Sequence, residues 1–493
     1  MYCRIIGLFL LVLASLGQAG AQTQWMAVEN VPNIGAGAVA LLTDGRVLVH
    51  DESGNPGTLG NWWTLSPDAN GNYATGTWTQ VASMPSNYAP EGFASAVLPD
   101  GRYLVEGGEY NLRHNDTTLG AIYDPVANVW TLVNPPAGWM FIGDAPSAVL
   151  ADGRFLMGSC CDDPALTAIF DATTLSWTDT GSGKFDIYFE EGITLLPGGK
   201  LLDVDTYGGG LDQPNGKNYE LYDPSTGSWT SQGDTPVQLW DSGVQCGGNG
   251  SHEIGPAVLM PNGTVFATGA NSCGSAHTAV YTVSADSWVA GPDFPDGLDI
   301  ADGPAALEVN GKVLMMTSRG LQGMGATFFE WNGSTLTQIV GPPNAPNESS
   351  SQGHLLMLPT GQLLFDDSTS DVELFTSTGN QYRDWTPSVL LKSAVMAHGS
   401  TTVLNGFKFN GATQNNAYGD DFQDATNYPL VRLTNSSGQA YYLRTHDHST
   451  MAVGYSGPTY THVDIPRRVP AGAYNLQVVV NGIASQNYAV GIR

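Results

Sequence analysis

Short apolar runs of four to six residues, interrupted by a polar turn at nearly regular intervals, dominate the chain. In 95–108 one apolar run ends at Asp100-Gly101, a second covers Tyr103 to Val105, and Gly107-Gly108 stops it. Asp-Gly between two such runs predicts a β-hairpin, with turn residues that tolerate positive φ. Equivalent turns stand at Asp44-Gly45, Asp152-Gly153, Gly198-Gly199, Asn262-Gly263, Asn310-Gly311 and Thr360-Gly361, and successive turn glycines are 46 to 64 residues apart. After most turns a third strand ends near a Tyr-Asp-Pro-like phrase, at Tyr123, Phe170 and Tyr222. A tryptophan strand follows, at Trp78, Trp130, Trp177, Trp229 and Trp288; the sixth unit carries Leu336 instead and the seventh Trp385. Each unit is thus expected to be four short strands, and 24–28 is a candidate strand to complete the last unit.

This repeat resembles the kelch repeat, whose period of ~50 residues builds β-propeller blades. A lone four-stranded blade cannot bury both faces, whereas radial stacking of seven buries them all. The expected architecture is all-β: a seven-bladed kelch propeller over 22–389, then an immunoglobulin-like β-sandwich of the galactose oxidase C-terminal type over 390–493. Strand-like runs at 401–410, 429–434, 440–444 and 474–480, with turns at 470–473 and 481–482, support the sandwich.

Composition refines this picture. Only 13% of the 493 residues are charged, against a usual ~25%, and Gly numbers 61, as suits a turn-rich β protein. The net charge of −28 disfavours nucleic acid and anionic membranes as partners. Residues 1–21 read as a signal peptide, with Arg4, an apolar stretch too short to span a bilayer, and Ala19-Gly20-Ala21 as a cleavage site. The expectation is an exported protein, extracellular or periplasmic, with no membrane span. Of the later cysteines, Cys246 and Cys273 flank one hairpin and could pair. Cys160-Cys161 could form a vicinal disulfide, bind metal or stay free.

A kelch propeller followed by such a sandwich resembles the galactose oxidase and glyoxal oxidase group. Gly419-Asp420-Asp421, the run at 425–432 and the run at 444–451 look more specifically like a bacterial branch of that group, to which the resemblance attaches no activity. The resemblance implies one axial copper, held by a tyrosine cross-linked to cysteine, a Tyr-His pair opening a late blade, and a C-terminal histidine. The first three precede the inner strand of a blade, nine or ten residues ahead of the turn glycine. Those positions here read Gly35-Ala36, Glu91-Gly92, Gly143-Asp144, Phe189-Glu190, Glu253-Ile254, Ala301-Asp302 and Ser351-Gln352, with neither tyrosine nor cysteine. The radical ligands are therefore expected to be missing.

What those positions do offer is acid. Glu91, Asp144, Glu190, Glu191, Glu253 and Asp302, with His252, Gln352 and His354, are the axial candidates for binding. Carboxylates so crowded call for a cation, shared protons or hydrogen-bond donors. They could hold one divalent metal, copper by family resemblance or zinc or manganese by chemistry, act as acid and base, or bind sugar hydroxyls. The plainer alternative is that they cap backbone N–H groups at the blade tops. By family resemblance His446, in Thr445-His446, is the candidate C-terminal metal ligand, with His448 expected on the same strand face and His462 a weaker rival; the alternative is that His446-Asp447-His448 is a hydrogen-bonded loop anchoring the sandwich to the propeller. Acid clusters at Asp293 to Asp302 and at Asp420, Asp421 and Asp424 suit calcium only weakly by spacing. No nucleophile elbow, P-loop, dinucleotide fingerprint or H-E-x-x-H motif is present. Two functions remain: an exported binding protein for extracellular carbohydrate or a protein partner, or a metal-dependent oxidoreductase acting on sugar alcohols or aldehydes without the radical.

Overall fold

The computed structural model describes residues 24–54, 59–162, 164–206, 216–241, 250–270, 274, 276–390, 393–422 and 424–493. The expected signal peptide and the Cys246–Cys273 pair lie outside the described residues. Seven antiparallel sheets of four consecutive or ring-closing strands occupy the chain up to Phe375. Six are built from successive strands; the seventh takes Trp25–Ala27 from the N-terminus as its outer strand beside Val372–Phe375. Its outer tryptophan is therefore Trp25, packed on Phe375 with ring centroids 4.9 Å apart. Trp385 lies beyond the blade, donating Nε1–H to Pro261 O.

The turns are tighter in their demands than Asp-Gly suggests. At Asp44-Gly45 the bonds Gly45 N to Leu42 O and Leu42 N to Arg46 O close a three-residue loop. Only Gly45 has positive φ, at 83°, so one left-handed residue suffices, as in a type I turn followed by a glycine bulge. The aspartate is held by a different job: Asp44, Asp100 and Asp152 each accept the N–H of the arginine two residues on, and that arginine's guanidinium as well.

The Tyr-Asp-Pro and Trp phrases also have a direct cause. Tyr123 faces Trp130, Phe170 faces Trp177, Tyr222 faces Trp229 and Tyr281 faces Trp288, each as a cross-strand pair. Their rings pack at 5.0–5.2 Å, so each pair seals the outer edge of a blade. Blade six keeps the arrangement with the partners exchanged: Trp331 is on the third strand and Leu336 opposite it.

The C-terminal residues form two sheets. One holds Ser388–Leu390, Ser400–Phe407, Pro458–Ile465 and Thr445–His446; the other holds Val395–Met396, Leu430–Thr434, Ala440–Leu443, Gly472–Val480 and Tyr488–Ile492. Leu404, Val463 and Ile465 from the first meet Val431, Leu433, Leu476 and Val478 from the second in one buried cluster. This sandwich rests on the hairpin turns of the first blades, where Thr445 N bonds Thr43 O, Arg444 bonds Asp100 O and Met451 N bonds Ala151 O. A buried finger, 410–428, leaves it and enters the ring. Its Asn416–Ala417 adds a fifth strand to the inner edge of blade six, beside Ala305–Leu307. Gln414 Oε1 accepts Leu195 N from blade four, and Asn416 Oδ1 accepts Met357 N from blade seven. The finger is thus bonded to inner strands around the ring and runs along its axis.

Candidate axial carboxylate site

Midway along the finger is Gly419, whose Cα side is closed by Asp302 and the Ile254 carbonyl. Asp420 and Asp421 follow, and they arrive among the acids that precede the inner strands. Asp144, Glu190 and Asp420 bring oxygens within 4.8 Å of one another, and so do Glu253, Asp302 and Asp420. Five carboxylates from blades three to six and the finger therefore share one basin, with Asp420 common to both halves. Asp421 adds a sixth charge, beside Gly92.

Backbone conformation aims these groups. Glu190, His252 and Asp302 have φ of 56°, 69° and 45°, and Gly92 and Gly143 occupy the same left-handed region in neighbouring blades. Non-glycine residues enter it at a cost, and such outliers cluster where a side chain must be re-aimed. At Glu190 the consequence is a change of side. Glu190 joins the basin, while Glu191, the next residue, turns outward into blade four.

There Glu191 meets a different arrangement. Lys184 is buried at the centre of five carboxylates, with Nζ 2.7 Å from Asp186, 2.9 Å from Glu220, 3.1 Å from Glu191, 3.2 Å from Asp205 and 3.3 Å from Asp203. Burial works against the ammonium, but the surrounding acids, Asp203 foremost, hold its pKa well above the ordinary lysine value. Burial lifts Asp203 to about 6 and Asp205 to about 7, against the pull of Lys184.

No lysine or arginine reaches the basin among the described residues: no ion pair involves Asp144, Glu190, Glu253, Asp302, Asp420 or Asp421. Burial, then mutual repulsion with Asp302, lifts Asp420 to about 8, and burial lifts Asp302 to about 6. Asp144, Glu190, Glu253 and Asp421 are raised well above the usual carboxylate range, by burial first and then by one another. After burial, Asp144 and Asp420 raise Glu190, and Asp302 and Glu190 raise Glu253. Glu253 Oε2, Asp302 Oδ1 and Asp420 Oδ2 are buried with no hydrogen-bond partner.

The other sequence candidates lie elsewhere. Glu91 stands on the rim, 3.5 Å from Arg113. His252 stacks on Trp240 at 5.1 Å, with Nδ1 3.4 Å from Thr206 O, and burial lowers its pKa so that the ring is neutral. Gln352 caps a short turn, its Oε1 accepting Ser349 N. His354 is fully enclosed, bonded to Asp366 at 2.9 Å and covered by Tyr418 and Phe422 of the finger. The C-terminal histidines sit at the opposite, turn end of the blades, a strand length or ~15 Å from the basin. Asp447 has φ of 50°, which breaks the strand after His446. His448 therefore does not share its face: it turns inward, bonded to Thr461 Oγ1 and stacked on Tyr428. His462, directly opposite His446 in the ladder, is the histidine brought beside it. Cys160 and Cys161 are joined as a vicinal disulfide beside Gly143. By sequence Asp420 and Asp421 belong to a resemblance motif and to a weak calcium cluster with Asp424, not to the axial set, and nothing points to Lys184.

The fold has solved relatives. A fungal alcohol oxidase of the AA5 family, in complex with copper, aligns over 95% of this chain and 98% of its own, with a TM-score of 0.52 and 14% identity. By sequence, Kelch-like protein terF of Aspergillus terreus is 33% identical over 90 residues, and Kelch-like protein 25 of Xenopus tropicalis 26% identical over 170. The fold is the galactose oxidase-like kelch fold. The matched stretches span only 26% of the Xenopus protein and 19% of the Aspergillus protein. No protein-family model matches the chain. No helix among the described residues is long and apolar enough to cross a membrane.

Proposed function

We propose that the protein binds a hard divalent cation of the calcium class in the axial basin and, through it, hydroxyl groups of a neutral carbohydrate at the propeller mouth. One contrast supports this above all. Where blade four buries five acids for good, the chain supplies Lys184. The basin gathers as many acids with no built-in cation among the described residues. Burial lifts Asp302 to about 6, and burial with Asp302 lifts Asp420 to about 8, so both basin acids lose their protons as pH rises through these values. A bound cation then offsets the buried like charges.

The donor set selects the kind of cation. Calcium takes six to eight oxygen ligands in flexible geometry, and carboxylates are its usual protein donors. Copper, present in the fungal oxidase structure, does not fit this set. Copper(II) favours imidazole, while His252 and His354 are engaged elsewhere and Tyr418 donates its hydroxyl to Ser351 O. No oxidative step is therefore derived. A calcium ion held by part of the basin keeps coordination positions for sugar diols. Half-exposed Tyr110, on the strand paired with Glu91, and exposed Phe185 offer apolar platforms for a sugar face. An exported protein also meets the calcium concentrations at which such modest sites fill.

Calorimetric titration of the full-length protein with calcium, followed by glycan-array binding with and without calcium, tests the reading. Calcium uptake that Asp420→Asn abolishes, with calcium-dependent glycan binding, is the expected result. No uptake at millimolar calcium overturns it. Copper uptake with peroxide release from alcohols or aldehydes favours an oxidase instead.

A further inference from the structure

His446 and His462 lie together on the sandwich, apart from the axial basin. They are a cross-strand pair, with rings stacked 5.5 Å apart. Asp447 completes the set: one ligand atom from each of the three lies within 4.8 Å of the others. Asp447 Oδ2 is 2.8 Å from His446 Nδ1 and 4.0 Å from His462 Nδ1. Tetrahedral zinc, with bonds of ~2.0–2.1 Å, needs ligand atoms about 3.3 Å apart, so each of the two Asp447 distances is within about 1 Å of that spacing.

We propose that His446, Asp447 and His462 bind a borderline transition-metal dication, zinc being the simplest, with water in the fourth position. Three features beyond proximity point this way. Asp464 Oδ1 lies 3.3 Å from His446 Nε2. Accepting the Nε2 proton, it leaves the Nδ1 lone pair facing Asp447, the outer carboxylate arrangement that orients metal-binding histidines. His462 Nδ1 is buried and has no hydrogen-bond partner. Arg444, the nearby cation, is already taken up by Asp464 at 3.0 Å and the Asp100 carbonyl at 2.7 Å.

The site has a structural role to perform. The strand Thr445–His446 opens the segment that bonds the propeller turns at Thr43, Pro99 and Ala151. A metal tying His446 to His462, on the long strand Pro458–Ile465, clamps that segment to the sandwich and so clamps the sandwich to the ring. Two imidazoles with one carboxylate suit zinc, nickel or copper(II) far better than calcium, which separates this site from the basin.

The test is zinc titration by calorimetry, with metal analysis, on full-length protein pre-equilibrated with millimolar calcium, and again on Asp420→Asn. One zinc per chain is expected in both. Affinity should fall at least tenfold in His446→Gln and in His462→Gln, less in Asp464→Asn, and not at all in His277→Gln, which alters an exposed His–Asp pair elsewhere. Zinc should raise the melting temperature of wild type but not of His462→Gln, with circular dichroism confirming that the variant is folded. Absence of zinc binding by wild type, or unchanged affinity in His462→Gln, overturns the proposal, whatever becomes of the calcium site.

Discussion

The carboxylates of Glu190 and Glu191, consecutive in the chain, end in two different acid clusters. Glu190 faces Asp144 and Asp420 on the axis, and Glu191 is 3.1 Å from the Lys184 ammonium inside blade four. One cluster carries its own cation and the other does not, and this difference separates what is structural from what is functional. We predict that Lys184→Met is strongly destabilising, by about 3–5 kcal/mol, because it strips the partner from buried charges. The matching change in the basin, Glu253→Gln, should leave the metal-free protein as stable or about 1 kcal/mol more so, since it removes repulsion. Urea unfolding of both variants in chelator checks the pair; equal losses would mean that the basin acids are structural too.

The basin also predicts a pH dependence. Asp302 and Asp420 have folded-state pKa values of about 6 and about 8, above their ordinary 3.8. For acids raised in this way the folded state holds more protons than the unfolded one between the two values. Their contribution to stability therefore falls as pH rises from about 4 to about 8. Asp203 and Asp205 shift in the same direction and add to the slope. Calcium competes only for the deprotonated basin, so the rise in melting temperature on adding calcium should widen from pH 5 to pH 8. Asp420→Asn should flatten that widening. Calorimetric scans across pH, with calcium or chelator, measure it; a calcium effect independent of pH would sink the reading.

The ring's closure can be tested at Trp25. Its ring packs on Phe328, Phe365 and Phe375, and its Nε1–H reaches Val340 O. Trp25→Ala should cost about 3–5 kcal/mol, as large buried aromatics do. Chemical denaturation gives the number. A loss below 1 kcal/mol would show that the N-terminal strand is dispensable.

Local chemistry made most of the fold legible. An aspartate or asparagine beside a glycine closes five of the seven hairpins within a few residues, and a tyrosine or phenylalanine meets a tryptophan across one turn, so both signals survive in the sequence. The candidate closing strand at 24–28 does complete the seventh blade, through Trp25–Ala27, so the outer tryptophan there is Trp25, and Trp385, matched by position along the chain, falls beyond the blade. The site was half legible. Counting back from the turn glycine found Asp144, Glu190, Glu253 and Asp302. It placed Glu191 with them because alternation along a strand cannot foresee the left-handed residue at Glu190. Asp420 and Lys184 were hidden for the opposite reason: each reaches its acids by long-range packing, through the finger and through the loop entering blade four. His446 was read as an axial ligand by resemblance, yet the finger supplies the axis with Asp420 and leaves His446 at the far end of the blades.

The finger itself yields the last prediction. Phe422 sits edge-on to His354, Phe93 and Tyr418, at 4.9, 5.1 and 5.2 Å, directly beneath the aspartates at 420 and 421. His354 is held charged, to about 9, because Asp366 outweighs the effect of burial. Phe422 therefore covers a buried ion pair as well as fixing the direction of the finger's tip. We predict that Phe422→Ala weakens calcium binding at least tenfold while leaving every basin carboxylate in place, because Asp420 loses the support that aims it. The same variant should lose about 3 kcal/mol or more of stability, through the cavity and through water reaching His354. Phe422→Leu, which keeps most of the volume, should recover the greater part of both. Calcium titration and urea unfolding of the two variants separate the outcomes. If Phe422→Ala binds calcium as wild type does, the finger is only a plug, and the basin is organised by the blades alone.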